Sequence, residues 1–366
     1  MAEETKKRKA DHLRICLERR AQARKATTGF EDVHLIHKAL PEIDRAKIDL
    51  STNVFGHRFA APIIVGAMTG GTHEATSINA AIAAAVEKLG LGMGVGSQRA
   101  AIENANLEKT FAVARQKAPT AFLIANIGGV QLVHGYGMKE VKKAVEMIEA
   151  DAVAIHLNAL QEAVQPEGQT NFKGVLAKIS EIARTLDKPV IIKETGAGIA
   201  AEEARKLEEA GVKGIDVGGS GGTSFAAVEH YRAKKENDFQ HFLGDAFWDW
   251  GIPTAVSLIE TTQTVKIPVI ASGGLRSGTD FAEALALNAS MVSLSQPILQ
   301  AAVKGAEETE KLLSCLLEEL RNVMFLVGAE KVKDLTKVPV VVTGKTAEWL
   351  QMRDFNVEGY ARRGAV

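Results

Sequence analysis

The sequence predicts an α/β fold of the (β/α)8 TIM-barrel class. Three observations carry that reading: eight short apolar runs recur along the chain, each ends in Gly, Ser, Thr, Asn or His, and amphipathic helical stretches separate them. The runs span residues 61–71, 91–99, 121–129, 152–158, 189–196, 214–222, 268–274 and 291–297. Most are continuous and rich in Val and Ile, as strands of a parallel sheet buried on both faces are. Between them, residues 78–89, 138–148, 200–210 and 281–287 set apolar side chains at helical spacing with charged ones opposite. Spacing alone does not establish closure, so a doubly wound open sheet is the competing architecture; the polar strand ends favour the barrel.

Two extensions decorate the repeat. Residues 1–60 precede the first strand and open on a basic helical pattern, and residues 224–253 form a long loop after the sixth strand carrying Phe247, Trp248 and Trp250. Long connections in compact domains are usually lids or interfaces. Residues 61–336 are expected to hold the barrel and 337–366 a tail outside it, all in one domain, which a 366-residue chain with 46% hydrophobic content can fill. A net charge of −1 and a pI near 6.8 give no global field for nucleic acid or an anionic membrane, so any anion site must be built locally. No apolar run approaches the ~18 residues that span a bilayer, and the opening MAEETKKRKADH has no apolar stretch behind its charges. Cys16 and Cys315 lie far apart without metal or redox spacing, and a reducing cytoplasm is the expected location.

In a barrel the chemistry belongs at the C-terminal strand ends. After the seventh run, Gly273, Gly274, Leu275, Arg276, Ser277 and Gly278 combine flexible backbone, a cation and a following helix N-terminus, which suits a phosphate; an ordinary tight turn is the bland alternative. Gly218, Gly219, Gly221, Gly222 and Thr223 repeat the device after the sixth run. Lys193 ends the fifth run among apolar neighbours and needs an anion there. That anion is either Glu194 or another strand-end acid, or a cofactor that becomes negative on reduction, as a flavin does. Asn126 and Ser97 would hydrogen-bond the same ring, with the backbone of Ala67, Met68 and Thr69 along its edge. In HLNALQE, strand period puts His156 and Asn158 on one face, with Gln161 and Glu162 following. Glu162 is the candidate ligand for a hard ion such as Mg²⁺, which takes carboxylate and phosphate oxygens; the alternative is a solvated acid beside a structural histidine. Arg8, Lys9, His12, Gln98 and Arg99 would clamp a diphosphate, although a terminal basic run is more often a solvated helix face.

The strings RKADH, AMTGG, GSQR, HLNALQEAVQPEG, IIKETG, GGSGGTS and ASGGLRSG, in this order over nearly the whole chain, resemble the motif series of the type 2 isopentenyl diphosphate isomerases. The resemblance implies FMN, Mg²⁺ on Glu162, and interconversion of isopentenyl and dimethylallyl diphosphates in isoprenoid biosynthesis after NADPH or another donor has reduced the flavin. Moving an unactivated double bond requires protonation at one carbon and deprotonation at another without net oxidation, a role expected of reduced FMN itself. By motif position, Arg8, Lys9 and Gln161 would contact substrate, with His12, Arg99, His156 and Asn158 near the diphosphate or its reacting end. Lys193, Gln161 and His156 are the implied catalytic residues. FMN would meet Ala67, Met68, Thr69, Ser97, Asn126, Lys193, Thr223, Gly274, Leu275, Arg276, Ser295 and Gln296. A homo-oligomer, tetramer or octamer, is implied as well.

One departure is visible: Ser295 and Gln296 stand where the family pattern has a small residue followed by an apolar or basic one, although backbone N–H groups there still serve a phosphate. A hydroxy-acid oxidase of the FMN type would share the barrel and Lys193 but needs a His beside an Arg after the seventh strand, and ASGGLRSG has none. An inosinate-type dehydrogenase needs a Cys that GGSGGTS lacks. A non-catalytic flavin- or phosphate-binding protein leaves HLNALQE and RKADH unexplained.

Overall fold

The Val- and Ile-rich runs form eight short parallel strands in a computed structural model that describes residues 2–233 and 239–364. They are β1 (Ile63–Val65), β2 (Gly92–Gly94), β3 (Phe122–Gly128), β4 (Ala152–Leu157), β5 (Val190–Glu194), β6 (Gly214–Asp216), β7 (Val269–Ser272) and β8 (Met291–Leu294). Each pairs with its sequence neighbour, and β8 returns to β1 through Val292↔Ile63, Ser293↔Ile64 and Leu294↔Val65, which closes the barrel and excludes the open sheet.

Alternation along the strands divides the apolar residues into two cores. Phe122, Ile124, Ala152, Ala154, Ile191, Ile270 and Met291 fill the barrel interior. Their neighbours Leu123, Ala125, Val153, Ile155 and Ile192 join the outer core beneath the helices. The N-terminal extension supplies a floor: its hairpin of Thr52–Val54 and His57–Phe59 sends Val54, Phe55 and Phe59 into the interior cluster. The Phe59 and Phe55 rings sit 5.3 and 6.0 Å from that of Phe122. The interior is therefore packed at one end, and polar side chains can gather only at the other.

The two ends of the chain meet outside the barrel, where Val33–Leu35 pairs antiparallel with Val340–Val342. Behind that strand, Arg353 of the tail bonds the buried Glu260 at 2.7 Å. The segment after β6, read from sequence as a long loop, carries two helices, Phe225–Arg232 and Phe239–Ala246. Apolar side chains at helical spacing there have a surface to cover: Ala227, Val228 and the buried Trp248 pack on Ile15 and Ala21, from the N-terminal helix Ala2–Glu18 and the turn after it. The Trp248 indole N–H donates to the Gln22 carbonyl at 2.9 Å, whereas Trp250 stays 63% exposed. Among the described residues, no helix is long and apolar enough to cross a membrane.

Phe59→Ala should destabilise the protein by ~3–5 kcal/mol, the cost of a large buried cavity, read as the unfolding free energy in urea. Leu40→Ala, at a side chain 75% exposed, should stay within ~0.5 kcal/mol of wild type. Equal effects would mean that the hairpin does not seal the barrel.

Candidate active site

The polar strand ends enclose a cavity of ≈ 280 Å³ beneath the N-terminal helix, close to the ~300–1,000 Å³ range of small-molecule sites. Every catalytic, substrate, cofactor and metal residue implied by the family resemblance lines it, from Arg8, Lys9 and His12 through Glu162 and Lys193 to Ser295 and Gln296. Gln98 does not. Its amide is fully buried, taking the Asn126 N–H at 2.8 Å and donating to the Ala144 carbonyl at 2.8 Å, so it braces β3 and cannot clamp a ligand.

At the centre, inward positions of β3 to β7 change from apolar to polar one step above the packed interior. Lys193 on β5 sits 3.0 Å from the Asp216 carboxylate on β6 and 3.4 Å from the Ser272 hydroxyl on β7. Asp216 also accepts the Ser272 hydroxyl proton. The partner of Lys193 is thus Asp216. Glu194 points the other way and accepts the backbone N–H groups of Thr195, Gly196 and Ala197; burial outweighs those bonds and pushes its carboxyl up to about 7. Sequence reasoning passed over Asp216, although period two from Gly214 places it on the inward face.

His156, on β4 beside Lys193 in register, bonds the Asn126 side-chain oxygen through Nδ1 at 2.7 Å. That partner assigns the proton to Nδ1 and leaves Nε2 an acceptor. Burial, reinforced by Lys193, Lys9 and Arg8, pushes the imidazole down to about 4, so it is neutral at pH 7.

Beyond it, Glu162 is buried rather than solvated. Asn158 Nδ2 donates to Glu162 Oε1 at 3.0 Å and to Gln161 Oε1 at 3.1 Å. Gln165 Nε2 and the Gln169 N–H hold Glu162 Oε2 at 2.6 and 2.7 Å. Asn158 Oδ1 is buried without a partner. An orphaned acceptor beside a carboxylate and a second amide oxygen is a donor set for a hard cation. Among the described residues, no three His, Cys, Asp or Glu side chains form a metal cluster, so such an ion would take its remaining oxygens from ligand and water.

The RKADH segment is not a solvated face. The Lys9 ammonium donates to the Gly70 carbonyl at 2.9 Å and to that of Ser97, and burial together with Arg8 pushes its pKa down to about 7. His12 bonds the fully buried Glu229 at 2.8 Å, Glu229 pairs with Arg232, and Arg232 reaches Glu167 at 2.8 Å, which lies 3.8 Å from Arg8. Arg99 is tied to Glu103 at 2.8 Å. Glu167 lies within HLNALQEAVQPEG but was given no role, and Glu229 and Arg232 were invisible to motif reading, because only the docked helices bring the three together.

The two glycine loops touch: a Cβ at Gly222 would lie 2.5 Å from the Gly274 nitrogen, and Gly274 itself has φ +81°. Past them the helix N-terminus is already occupied, because Asp280 takes the Arg276 and Ser277 N–H groups at 2.7 and 3.1 Å and Glu319 takes that of Gly278 at 2.7 Å. A phosphate here would rely on the Gly274 and Leu275 backbone and on the Arg276 side chain, so Ser277 and Gly278 leave the candidate site. The Arg276 guanidinium is partly desolvated, which lowers its pKa, and bonds Gln296 Oε1 at 3.3 Å; among the described residues no carboxylate lies within ion-pairing distance.

Similarity to known proteins decides the family. The chain matches the family model described as FMN-dependent dehydrogenase over residues 1–122 and 152–341. It is 52% identical over 365 residues to an isopentenyl-diphosphate delta-isomerase of Methanosarcina barkeri, covering 100% of this chain and 99% of the relative. The chain belongs to the type 2 isopentenyl-diphosphate delta-isomerase family. A second member, from Methanothermobacter thermautotrophicus, is 49% identical over 97% of this chain and 99% of its own. Solved structures carry the fold alone: a mandelate oxidase variant superposes with TM-score 0.62 at 20% identity, covering 94% of this chain and 98% of its own. A lactate oxidase of Pediococcus acidilactici gives 0.63 at 18%, with 94% and 93% covered.

The residues present fit the family's flavin. An unpaired Arg276 beside two touching glycine loops suits a phosphate. Lys193 has three N–H groups, of which Asp216 and Ser272 take two, leaving one for a ring.

The neutral His156 makes a prediction about stability. Its folded pKa, about 4, lies below the unfolded value near 6.5, so the unfolded chain binds the proton more readily, and stability is lost as pH falls from about 6.5 through about 4. His156→Gln should flatten that part of the melting-temperature profile relative to wild type. Parallel profiles between pH 7 and 4.5 would show that His156 carries no such penalty.

Proposed function

We propose that this chain interconverts isopentenyl and dimethylallyl diphosphates, with FMN across the tops of β1, β5, β7 and β8 and a Mg²⁺-diphosphate between Glu162 and the N-terminal helix. One observation carries the reading: cations gather at two separated places around one cavity, Arg276 at one and Arg8, Lys9 and Arg99 at the other, as two phosphorylated ligands require.

When bound, reduced FMN supplies an electron-rich ring with an acid/base nitrogen, and NADPH or another donor is needed only to prime it because the reaction has no net oxidation. The chain's own residues do the rest. Arg8, Lys9 and Arg99 receive the diphosphate, and Asn158 Oδ1 with Glu162 hold the metal that shares its charge. His156, neutral and fixed by Asn126, holds a donor at Nε2 instead of giving up a proton. Gln161 lines the cavity beside Asn158 and Glu162, where it can orient the hydrocarbon. The N-terminal helix excludes water, which strengthens each of these interactions. Thr69, Ser97, Asn126, Thr223 and Ser295 line the flavin side. A cytoplasmic tetramer or octamer is part of the same proposal; the exposed Phe239, Phe242 and Trp250 after β6 support burial against another copy.

The deciding experiment records the visible spectrum of the purified, oxidised protein, then reduces it anaerobically and supplies isopentenyl diphosphate with Mg²⁺. Yellow protein and an allylic product are expected; a colourless protein without turnover would overturn the proposal. Glu162→Gln should raise the KM for the Mg²⁺-diphosphate by about tenfold or more at modest cost in kcat, and an unchanged Mg²⁺ requirement would remove Glu162 from the metal site.

Lys9 adds a proton-linked signature. With its pKa at about 7, it is roughly half charged at pH 7, and an arriving dianion raises that pKa. Binding of inorganic pyrophosphate with Mg²⁺ should therefore take up roughly half a proton more in wild type than in Lys9→Met, measured by calorimetry in buffers of different ionisation enthalpy. Equal uptake would place the diphosphate away from Lys9.

A further inference from the structure

Lys193 does not meet the cavity as a free cation. Asp216 lies 3.0 Å from its ammonium and is 6% exposed. Lys193 and Ser272 line the cavity whereas Asp216 does not, so the carboxylate stands behind the ammonium as seen from the ligand. Both carboxylate oxygens are fixed, one by Lys193 and the other by the Ser272 hydroxyl. Ser272 is anchored in turn, its oxygen accepting the Gly218 N–H at 3.1 Å. Of its neighbours, His156 on β4 is neutral, and Glu194, whose carboxyl burial raises to about 7, feels the Lys193 charge but turns its carboxylate to the backbone after β5.

We propose that Asp216 is a positioning residue that aims Lys193 at the flavin and cancels its charge, so that the ring meets a hydrogen-bond donor within a neutral ion pair. The inference rests on the flavin reading above. A full positive charge against the ring would stabilise its reduced anion and draw electrons into it. Compensation removes that pull while keeping the donor. A reduced ring that works through its electron richness keeps more of it beside a neutral ion pair than beside a bare cation, so the paired lysine suits an isomerase.

Sulfite is a direct probe. Its sulfur lone pair forms a bond to N5 of oxidised flavin, the ring takes up the electron pair as negative charge, and the loss of visible absorbance gives a Kd that reports the local cation. In FMN-loaded full-length protein, Asp216→Asn should bind sulfite about tenfold tighter and raise the two-electron midpoint potential by about 30 mV, the equivalent of tenfold in the equilibrium constant. Asp216→Glu, which keeps the charge, should restore most of the wild-type Kd; a shift as large as that of Asp216→Asn would assign the effect to packing. Because Asp216→Asn leaves a buried charge unpaired and can impair folding, a second comparison decides independently. Lys193→Gln leaves Asp216 uncompensated and should weaken sulfite binding, and Lys193→Gln/Asp216→Asn, with no charge left, should recover most of that loss. Identical Kd values for those two variants, or an Asp216→Asn protein no tighter than wild type, would overturn the role of Asp216. A wild-type protein that takes up no FMN overturns the flavin reading itself, and this inference with it.

Discussion

Barrel closure in a parallel register is the constraint on which the site depends. The hydrogen-bonded row that joins Gly128, His156, Lys193 and Asp216 continues to Ile270 and Met291. Strands in a closed barrel tilt against its axis, so one row climbs from the packed interior to the mouth. A slip of one residue on β5 would turn Lys193 outward, into the apolar layer under the helices, and bring Glu194 inward. Closure therefore fixes both which polar groups meet and which charge each one faces. The aromatic floor of Phe55, Phe59 and Phe122 holds that register, because the hairpin seats only against a barrel whose β3 begins with Phe122 facing in.

The mouth is built on a different principle. Its N-terminal helix is too polar to dock by apolar burial alone, and it is held by charges that find partners only once it is in place. The chain of Arg8, Glu167, Arg232 and Glu229 alternates in sign, and its last, fully buried carboxylate bonds His12. Removing one member of such a network leaves another charge buried and unpaired, which costs more than the lost contact. Leu13, Ile15 and Trp248 add an apolar seam alongside. The helix thus covers the cavity as a consequence of satisfying its own charges.

Most of the fold was legible because each strand run carried both a period and a polar stop. The weakest case is β2, where Gly92, Met93 and Gly94 have little strand propensity and only the repeat spacing marks them. The segment after β6 read as loop because its two helices, Phe225–Arg232 and Phe239–Ala246, are only eight residues each. In the site, residues at strand ends with distinctive chemistry, such as Lys193, His156 and Asn158, were visible from pattern alone. Asp216 was overlooked because attention fell on the glycines after it, and Gln98 was misassigned because an amide beside Arg99 resembles a ligand group until its burial is known. Glu229 and Arg232 could not have been found: their meaning lies in contacts across more than 200 residues of chain, from His12 to Glu229, which no local window contains.

The distribution of charge in the cavity then separates the two ends of the chemistry. Among the described residues Arg276 at the β7 end has no carboxylate partner, Arg8 and Lys9 gather at the other end with the Glu103-paired Arg99, and between them Lys193 is paired and His156 is uncharged. Cations at both ends with a neutral middle would hold two anionic groups apart and leave the uncharged parts of their owners in contact. A continuous positive floor would instead let either phosphate slide to the centre. On the function proposed above, a neutral middle would let the same small cavity take two phosphorylated molecules in one orientation, with the hydrocarbon of one set against the ring of the other.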